Sequence, residues 1–370
     1  MHGLFLSPSS HQNKIAHLSI LKNSITLMVG IVVSNALAYG FHFVAGRMLG
    51  PEEYGVFGSL MALFFLVSLP AFSFGTAVTK FTSDYHAANK FGEIGLLRRK
   101  AQDIVLVFFA GLMLFTAIFY GSVVDFLKID QVGSVVVLAA TILFSLLLAV
   151  NRGVLQGMKK FHALSWNSIV EAAARLVFLG VLFFFGYGVN GALLAYGLAF
   201  LLAFLLVFRV IKDTREVVGV LERIELKSIY WFTLRVLVAN IVLHGIINVP
   251  TLLVKHYFTS AFTGQWTAAL NIARMSLFVT GAISLVVFPE IVAEKDTVSR
   301  QKIYNKALLL VLLLSSAVAA VFWAIPEWII QVLYGTAYKG AVPMLEWMGI
   351  AMIFIGFLQL YANYWLAKLP

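Results

Sequence analysis

Residues 176–208, LVFLGVLFFFGYGVNGALLAYGLAFLLAFLLVF, form a run of 33 residues without Asp, Glu, Lys or Arg. About 20 such residues let a helix cross the roughly 30 Å hydrocarbon core of a bilayer, so this run is too long for one crossing. The hexapeptide GYGVNG at residues 186–191 is typical of a turn. The stretch therefore predicts a hairpin of two transmembrane helices, over residues 163–186 and 189–208.

The rest of the chain has a similar composition. Of its 370 residues, 61% are hydrophobic and 12% are charged, whereas a soluble domain carries roughly a quarter charged residues. The runs are apolar on all sides rather than alternating, which excludes a β-barrel and predicts an all-α, polytopic integral membrane protein. Seven further runs of suitable length are residues 24–46, 54–79, 104–124, 131–151, 236–254, 307–326 and 347–367. Residues 264–289 are also long enough to cross despite Arg274, which brings the predicted crossings to ten.

The loops of this topology differ sharply in charge. With the N-terminus inside, the cytoplasmic segments hold Lys14, Lys22, Lys80, Lys90, Arg98, Arg99, Lys100, Arg152, Lys159, Lys160, Arg209, Lys212, Arg215, Arg223, Lys227, Lys295, Arg300, Lys302, Lys306 and Lys368. The outer segments hold Arg47, Lys128, Lys255 and Lys339. Because basic residues concentrate in cytoplasmic loops, this predicts a multi-pass protein of the plasma (inner) membrane with both termini in the cytoplasm.

Several functional classes are excluded by what the sequence lacks. The chain contains no cysteine, which removes disulfide scaffolds, thiol catalysis and Cys-ligated metal sites. It has no P-loop, and its outer loops are too short to hold a polymerase or ligase site. His42 and His244 lie inside crossings without a His, Asp or Glu at ligand spacing, so we expect packing hydrogen bonds rather than a metal site. We therefore expect neither an enzyme nor a cofactor.

A shift of 209 residues superimposes crossings one and two on crossings seven and eight. It pairs Leu49 with Phe258, Gly55 with Gly264, Phe57 with Trp266 and Ser59 with Ala268. Because six crossings separate the copies, the repeat is parallel, which predicts two pseudo-repeated lobes. We expect four segments: a cytoplasmic N-terminal segment at residues 1–23, a six-helix lobe at 24–208, a cytoplasmic linker at 209–232 and a second, four-helix lobe at 233–370.

Several stretches, in order along the chain, form a recognisable set. The first is GRMLGPEEYGVF at residues 46–57, after KNSI at 22–25. The others are RGVLQG at 152–157 with Phe161, Glu171 and Arg175, GVNGA at 188–192, LVKHYF at 253–258, LYGTAY at 333–338 and NYWLA at 363–367. Together they resemble the polysaccharide-biosynthesis flippases, the O-antigen-type branch of the multidrug/oligosaccharidyl-lipid/polysaccharide exporter superfamily, and the first stretch is the most specific. The chain departs from the family at Pro250, where the resemblance implies an acidic residue.

The resemblance implies a flippase that moves polyprenyl-diphosphate-linked oligosaccharide to the outer leaflet by alternating access between two lobes. It implies lipid-linked oligosaccharide, membrane lipids and a polysaccharide polymerase or glycosyltransferases as partners, no nucleic acid, and H+ or Na+ as a candidate coupling ion. Family members usually have more than ten crossings, so this chain resembles a member without its last helices. Two alternatives stay open: a cation-coupled multidrug or organic-cation exporter, and a non-transporting scaffold of an envelope polysaccharide complex.

Charged side chains at the crossings are the candidate substrate-binding residues, since a charge in lipid is costly unless it is paired or faces water. Glu171 and Arg175 share one face of crossing five, as an ion pair, as the lining of a polar cavity or, for Glu171, as a coupling site. Arg274 has no acid within one helical turn, so we expect it to face a cavity, where its guanidinium suits phosphate oxygens. Arg47 and Lys255, at the outer ends of crossings one and seven, either bind substrate or reach headgroups.

Overall fold

In the computed structural model the chain is an assembly of helices. The structure describes residues 9–128, 132–211, 226–278, 280–281, 283, 287, 291, 294 and 296–366, and no strand occurs within these ranges. The helices are α1 Ser9–Ala87, α2 Phe91–Ile118, α3 Tyr120–Leu127, α4 Val132–Gly157, α5 Phe161–Phe184, α6 Gly188–Val210, α7 Leu226–Tyr257, α8 Ser260–Arg274, α9 Thr297–Ala324, α10 Pro326–Leu333 and α11 Val342–Leu366. A 3-10 helix, Thr336–Ala341, connects α10 to α11. The predicted all-α class is confirmed.

Eight helices of the described residues are long and apolar enough to cross a membrane. Helix α1 holds predicted crossings one and two, and the other seven helices each overlap one further predicted crossing, so that only crossing eight has no such helix among the described residues. Between these two, Gly50 leaves the helix with φ 70° and ψ 173°, a conformation open to glycine but not to bulkier residues. Pro51 follows at once and suits the first turn of a helix, since proline has no N–H that needs a partner there. Crossing eight begins in α8, and several of its later residues lie outside the described ranges.

The hairpin predicted around residues 186–191 is confirmed. Helix α5 ends at Phe184 and α6 begins at Gly188. The Gly186 N–H donates to the Phe183 carbonyl at 2.9 Å, which closes the end of α5. Gly186 and Gly188 have φ angles of 79° and 47°, which glycine adopts without the steric cost of a side chain. These glycines therefore allow two crossings to be joined by a very short turn.

The distribution of polar and apolar side chains is the reverse of that in a soluble protein. Large apolar side chains face outward, among them Val107, which is 74% exposed, and Phe184, which is 85% exposed. Polar and charged side chains, including Asn151, Glu171 and Arg175, are buried between helices. Ionisable groups within a membrane-spanning bundle face its interior in this way because lipid cannot solvate them.

The sequence repeat has a geometric counterpart where α1 crosses α8. A Cβ atom added to Gly55 would lie 1.9 Å from the carbonyl oxygen of Ser260, and one added to Gly264 would lie 1.8 Å from that of Pro51. Gly55 and Gly264 are 209 residues apart, as are Pro51 and Ser260. The two contacts are therefore reciprocal, as expected of two parallel repeats related by a pseudo-two-fold axis. We call this helix–helix contact, formed by Pro51, Gly55, Ser260 and Gly264, the glycine seam.

Helices extend into two connections that the loop charges predict to be cytoplasmic. Residues 80–103 separate predicted crossings two and three, yet α1 continues to Ala87 and α2 begins at Phe91. Helical hydrogen bonding continues past the apolar core because the charged side chains there can reach water without breaking the helix. Part of the linker predicted over residues 209–232 is also helical, since α7 begins at Leu226. Some of the basic residues predicted to be cytoplasmic lie outside the described ranges. They are Lys212, Arg215, Arg223, Lys295 and Lys368. Residues 1–8, 212–225 and 367–370 also lie outside these ranges.

Candidate functional site

A cavity of about 540 Å³ lies among α1, α4, α5, α6, α7 and α8. Its volume falls within the roughly 300–1,000 Å³ of small-molecule sites. Four charged side chains line it: Arg152, Glu171, Arg175 and Arg274. Its uncharged polar lining includes Asn35, Ser145, Asn248 and Asn271. The cavity thus combines a largely apolar lining with cationic and polar side chains, and both predicted lobes contribute to it.

Glu171 and Arg175 form a buried ion pair on the cavity wall. They lie one turn apart on α5, and a carboxylate oxygen of Glu171 accepts a hydrogen bond from Arg175 Nη2. The Arg175 guanidinium also stacks on Tyr196 of α6, with Cζ 3.9 Å from the ring centroid. Its buried Nε has no hydrogen-bond partner. The sequence left an ion pair and a cavity lining as alternatives for Glu171 and Arg175. In the structure these two residues do both, since they pair with each other and line the cavity.

Arg152 is a cavity residue that the sequence analysis missed. It was expected to be an inner-loop charge, but α4 extends to Gly157 and the side chain of Arg152 points toward α5. Its Nη1 lies 3.2 Å from the second carboxylate oxygen of Glu171, and its Nε donates to Asn167 Oδ1 at 2.8 Å. The expectation is wrong because a long side chain near a helix end can extend into a cavity as well as toward headgroups. The sequence feature that could have predicted this position of Arg152 is Glu171, because a carboxylate within a membrane-spanning helix requires cationic partners.

Arg274 is the last residue of α8 and lines the cavity, where the sequence predicts it. Its Nη2 donates to Asn248 Oδ1 at 3.1 Å and to the Ile247 carbonyl at 3.4 Å, both on α7. Its buried Nε has no hydrogen-bond partner. Within the described residues, no carboxylate forms a salt bridge with it. Its charge is therefore held in place by neutral groups and remains available to an anion.

A hydrogen-bonded network connects the cavity to the end of the molecule that carries Gly50. His42 Nε2 lies 3.2 Å from Tyr196 OH, and His42 Nδ1 lies 3.2 Å from Tyr54 OH. Tyr54 OH accepts a hydrogen bond from Asn271 Nδ2 at 2.9 Å and lies 3.1 Å from Tyr334 OH. Tyr54 and Tyr334 are both buried, and we call the network of His42, Tyr54, Tyr196, Asn271 and Tyr334 the plug. His42 has the packing role expected of it, and the described part of the chain holds no cluster of three metal-ligating side chains.

Arg47 and Lys255 lie away from the cavity. Arg47 is exposed, and its guanidinium donates to the carbonyl oxygens of Leu333, at 3.1 Å, and Val332. Lys255 is buried, and its Nζ donates to Ser260 Oγ at 2.5 Å beside the glycine seam. The structure therefore brings Arg175, Glu171 and Arg274 together but not these two cations, whose part in substrate binding stays a prediction.

A protein-family model described as "Polysaccharide biosynthesis protein" matches residues 20–294. The chain belongs to this family. The match includes every residue that lines the cavity. An uncharacterized membrane protein of Methanocaldococcus jannaschii, MJ1375, is 28% identical over 192 residues, an alignment that covers 50% of this chain and 43% of that protein. The chain thus matches less than half of this relative's length.

Solved structures of one transporter superfamily share the fold. An inward-facing multidrug resistance MATE family transporter of the MOP superfamily is similar with a TM-score of 0.68 and 14% identity, over 92% of this chain and 87% of that one. The lipid II flippase MurJ, in an inward closed conformation, has a TM-score of 0.67 and 16% identity, over 93% and 76% of the two chains. A MOP superfamily transporter from Pyrococcus furiosus has a TM-score of 0.55 and 16% identity, over 94% of this chain and 84% of that one. At these identities the likeness establishes the fold alone.

Proposed function

We propose that the chain is a membrane flippase for polyprenyl-diphosphate-linked oligosaccharide in cell-surface polysaccharide biosynthesis. The observation that carries this proposal is the charge of the cavity. Among the described residues, three arginines and one glutamate line it and leave a net charge of +2 when His42 is neutral. A diphosphate diester carries one negative charge on each phosphate and would balance this surplus. Arginine suits the task because its planar guanidinium can donate two hydrogen bonds to one phosphate.

The arrangement of polar and apolar surface also fits an amphipathic substrate. A diphosphate and its sugars need hydration or hydrogen bonds, whereas a polyprenyl tail is already soluble in the bilayer. The cavity offers Asn35, Asn248 and Asn271 to sugar hydroxyls in addition to the arginines. Attraction between unit charges at 4 Å is worth about 1 kcal/mol in water and about 4 kcal/mol near a protein surface. Partial desolvation inside the cavity therefore strengthens binding of the headgroup.

Transport in this proposal occurs by alternating access between lobes at residues 24–208 and 233–370. The reciprocal contacts of the glycine seam support a pseudo-symmetric lobe interface. In this proposal the plug, in which the hydroxyls of Tyr54 and Tyr334 lie 3.1 Å apart, closes the cavity toward the Gly50 end, which the loop charges predict to be the outer end. Glu171 is the candidate site for a coupling ion, H+ or Na+. The inner membrane, cytoplasmic termini and an associated polymerase or glycosyltransferases belong to the same proposal.

Export of organic cations is the second candidate, because a MATE family multidrug transporter shares the fold. A cationic substrate would favour a cavity with surplus acidic groups. The surplus here is cationic, and the one carboxylate of the lining is already paired with two arginines. Electrostatics therefore disfavours this candidate.

The test is flipping in proteoliposomes. A fluorescent short-chain prenyl-diphosphate disaccharide is added, and translocation is measured as protection from a membrane-impermeant quencher. We expect Arg274→Gln to slow flipping strongly and Arg99→Gln, which removes an exposed charge outside the cavity, to leave the rate unchanged. No flipping by the reconstituted wild type would favour the scaffold alternative. Transport of an organic cation without the diphosphate lipid would favour the exporter.

A further inference from the structure

The single carboxylate of the cavity lining has a geometry that the proposed function leaves unexplained. One oxygen of Glu171 accepts a hydrogen bond from Arg175, and the other lies 3.2 Å from Arg152 Nη1. Each oxygen therefore faces a different guanidinium. A phosphate can bridge two guanidinium groups in the same manner, since carboxylate and phosphate are the two anions that the arginine fork suits best.

Both guanidinium groups also contact residues other than Glu171. Arg152 donates through Nε to Asn167 Oδ1 at 2.8 Å, and Asn167 Nδ2 in turn donates to the Ala203 carbonyl of α6 at 2.8 Å. Arg175 stacks on the ring of Tyr196. If the carboxylate moved away, Arg152 would keep its hydrogen bond to Asn167 and Arg175 would keep its stacking on Tyr196. The described contacts give Glu171 no hydrogen-bond donors except these two arginines.

The cavity also contains donors that lack an acceptor. Arg175 Nε and Arg274 Nε are both buried and have no hydrogen-bond partner. A buried donor without a partner is unfavourable. An anion placed among the arginines would provide the missing acceptors as well as the missing charge.

We propose that Glu171 is a resident anion of the phosphate site. It occupies Arg152 and Arg175 while the cavity is empty, and a phosphate of the substrate takes its place. Arg152 then becomes a third phosphate-binding residue, beside Arg175 and Arg274. This inference rests on the proposed function, because it takes the substrate's diphosphate as the ligand.

Competition of this kind has a distinctive consequence. A substrate phosphate must break two charge-assisted contacts of Glu171 before it can make its own. Removing the charge of Glu171 should therefore tighten the binding of phosphates, although it removes an ion pair from the protein. A purely structural ion pair predicts the reverse, because loss of the carboxylate would leave two buried cations unpaired and disturb the site.

The experiment measures binding of inorganic pyrophosphate and of farnesyl diphosphate to the purified full chain in nanodiscs of neutral phosphatidylcholine, by titration calorimetry. We expect Glu171→Gln to bind both probes about tenfold more tightly than wild type, the equivalent of one charge-assisted hydrogen bond. Arg152→Gln should bind both about tenfold more weakly. Glu52→Gln is the matched control, since it removes the same charge from an exposed position.

A second readout covers the case in which Glu171→Gln is unstable. Pyrophosphate should raise the melting temperature of this variant more than that of wild type, because only in the variant does it supply the missing anion. Glu171→Asp keeps the charge on a shorter side chain that cannot span both arginines, and its affinity should lie between those of wild type and Glu171→Gln.

The outcomes separate the two proposals. Wild-type binding that depends on Arg175 and Arg274, without tighter binding in Glu171→Gln or weaker binding in Arg152→Gln, overturns the resident anion and leaves the flippase standing. Absence of binding to wild type and to every variant overturns both. Tighter binding of pyrophosphate in Glu171→Gln without flipping of any diphosphate lipid supports the resident anion and refutes the flippase.

Discussion

Replacing Gly55 by alanine should open the glycine seam. The new Cβ would lie 1.9 Å from the Ser260 carbonyl oxygen and 2.7 Å from the backbone nitrogen of Gly264. Both are backbone atoms, so no rotamer change can relieve the clash. To reach an ordinary contact of about 3.5 Å, α1 and α8 must separate locally by more than 1 Å. Gly264→Ala should act in the same way, because its Cβ would meet the Pro51 carbonyl oxygen at 1.8 Å.

The size of the effect follows from the cost of overpacking, which is typically about 1–3 kcal/mol. If the seam is closed in one transport state and open in the other, only the closed state bears this cost. The closed-to-open ratio should then fall by a factor of about 5–150. The effects of Gly55→Ala and Gly264→Ala on this ratio should not be additive in the double variant, because both substitutions disturb the same helix–helix contact.

The chain has no cysteine, so a single introduced cysteine is the only thiol of this protein that a maleimide can label. Ser145→Cys is a conservative probe, since Ser145 lines the cavity. Intact cells would be treated with a membrane-impermeant maleimide, which reaches the cavity only through the predicted outer end. We expect Gly55→Ala to label faster than the parent by the factor given above. Gly180→Ala, where an added Cβ meets nothing within 4 Å, is the control. Equal labelling of Gly55→Ala and Gly180→Ala, with both proteins folded, would refute the gating role of the seam.

Three further predictions concern the cavity and the topology. Arg274→Lys should flip substrate at a rate between those of wild type and Arg274→Ala, because lysine keeps the charge but not the planar fork; equal rates for the lysine variant and wild type would contradict this. Tyr196→Leu should weaken binding of farnesyl diphosphate more than Tyr196→Phe, since a desolvated cation–π contact contributes about 2 kcal/mol and phenylalanine retains the ring; calorimetry measures both. An epitope inserted at Asn89 should be accessible only from the cytoplasm and one at Tyr187 only from outside, and antibody labelling before and after permeabilisation would expose an inverted topology.

Local features of the sequence carried most of the fold. The turn at residues 186–191 and the apolar runs act within a few residues of chain, so they could be interpreted without knowing what packs against them. Glu171 and Arg175 share a helix face for the same reason, because a spacing of four residues fixes their proximity. The apolar runs also predicted where crossings lie, although they could not indicate that Gly50 alone would separate the first two.

The parts that sequence could not supply depend on contacts between distant helices. Tyr54 and Tyr334 are 280 residues apart along the chain, and no local pattern marks them as partners. Arg152 lies near the end of α4, where its charge has the same sequence signature as a topogenic loop residue. Its direction is decided by Asn167 and Glu171 on the neighbouring helix. Packing therefore determined which of the basic residues became part of the cavity.

A continuous set of contacts joins the proposed phosphate site to the plug at the Gly50 end. Arg175 stacks on Tyr196, whose hydroxyl lies 3.2 Å from His42, which in turn lies 3.2 Å from the hydroxyl of Tyr54. Adjacency alone does not establish coupling, which requires an element with two states that both sites bias. The glycine seam is such an element if the labelling experiment succeeds. Thermodynamic linkage is reciprocal, so the seam must affect phosphate binding as much as phosphate binding affects the seam. A phosphate ligand that changes the rate of labelling of Ser145→Cys must therefore bind Gly55→Ala with a correspondingly changed affinity.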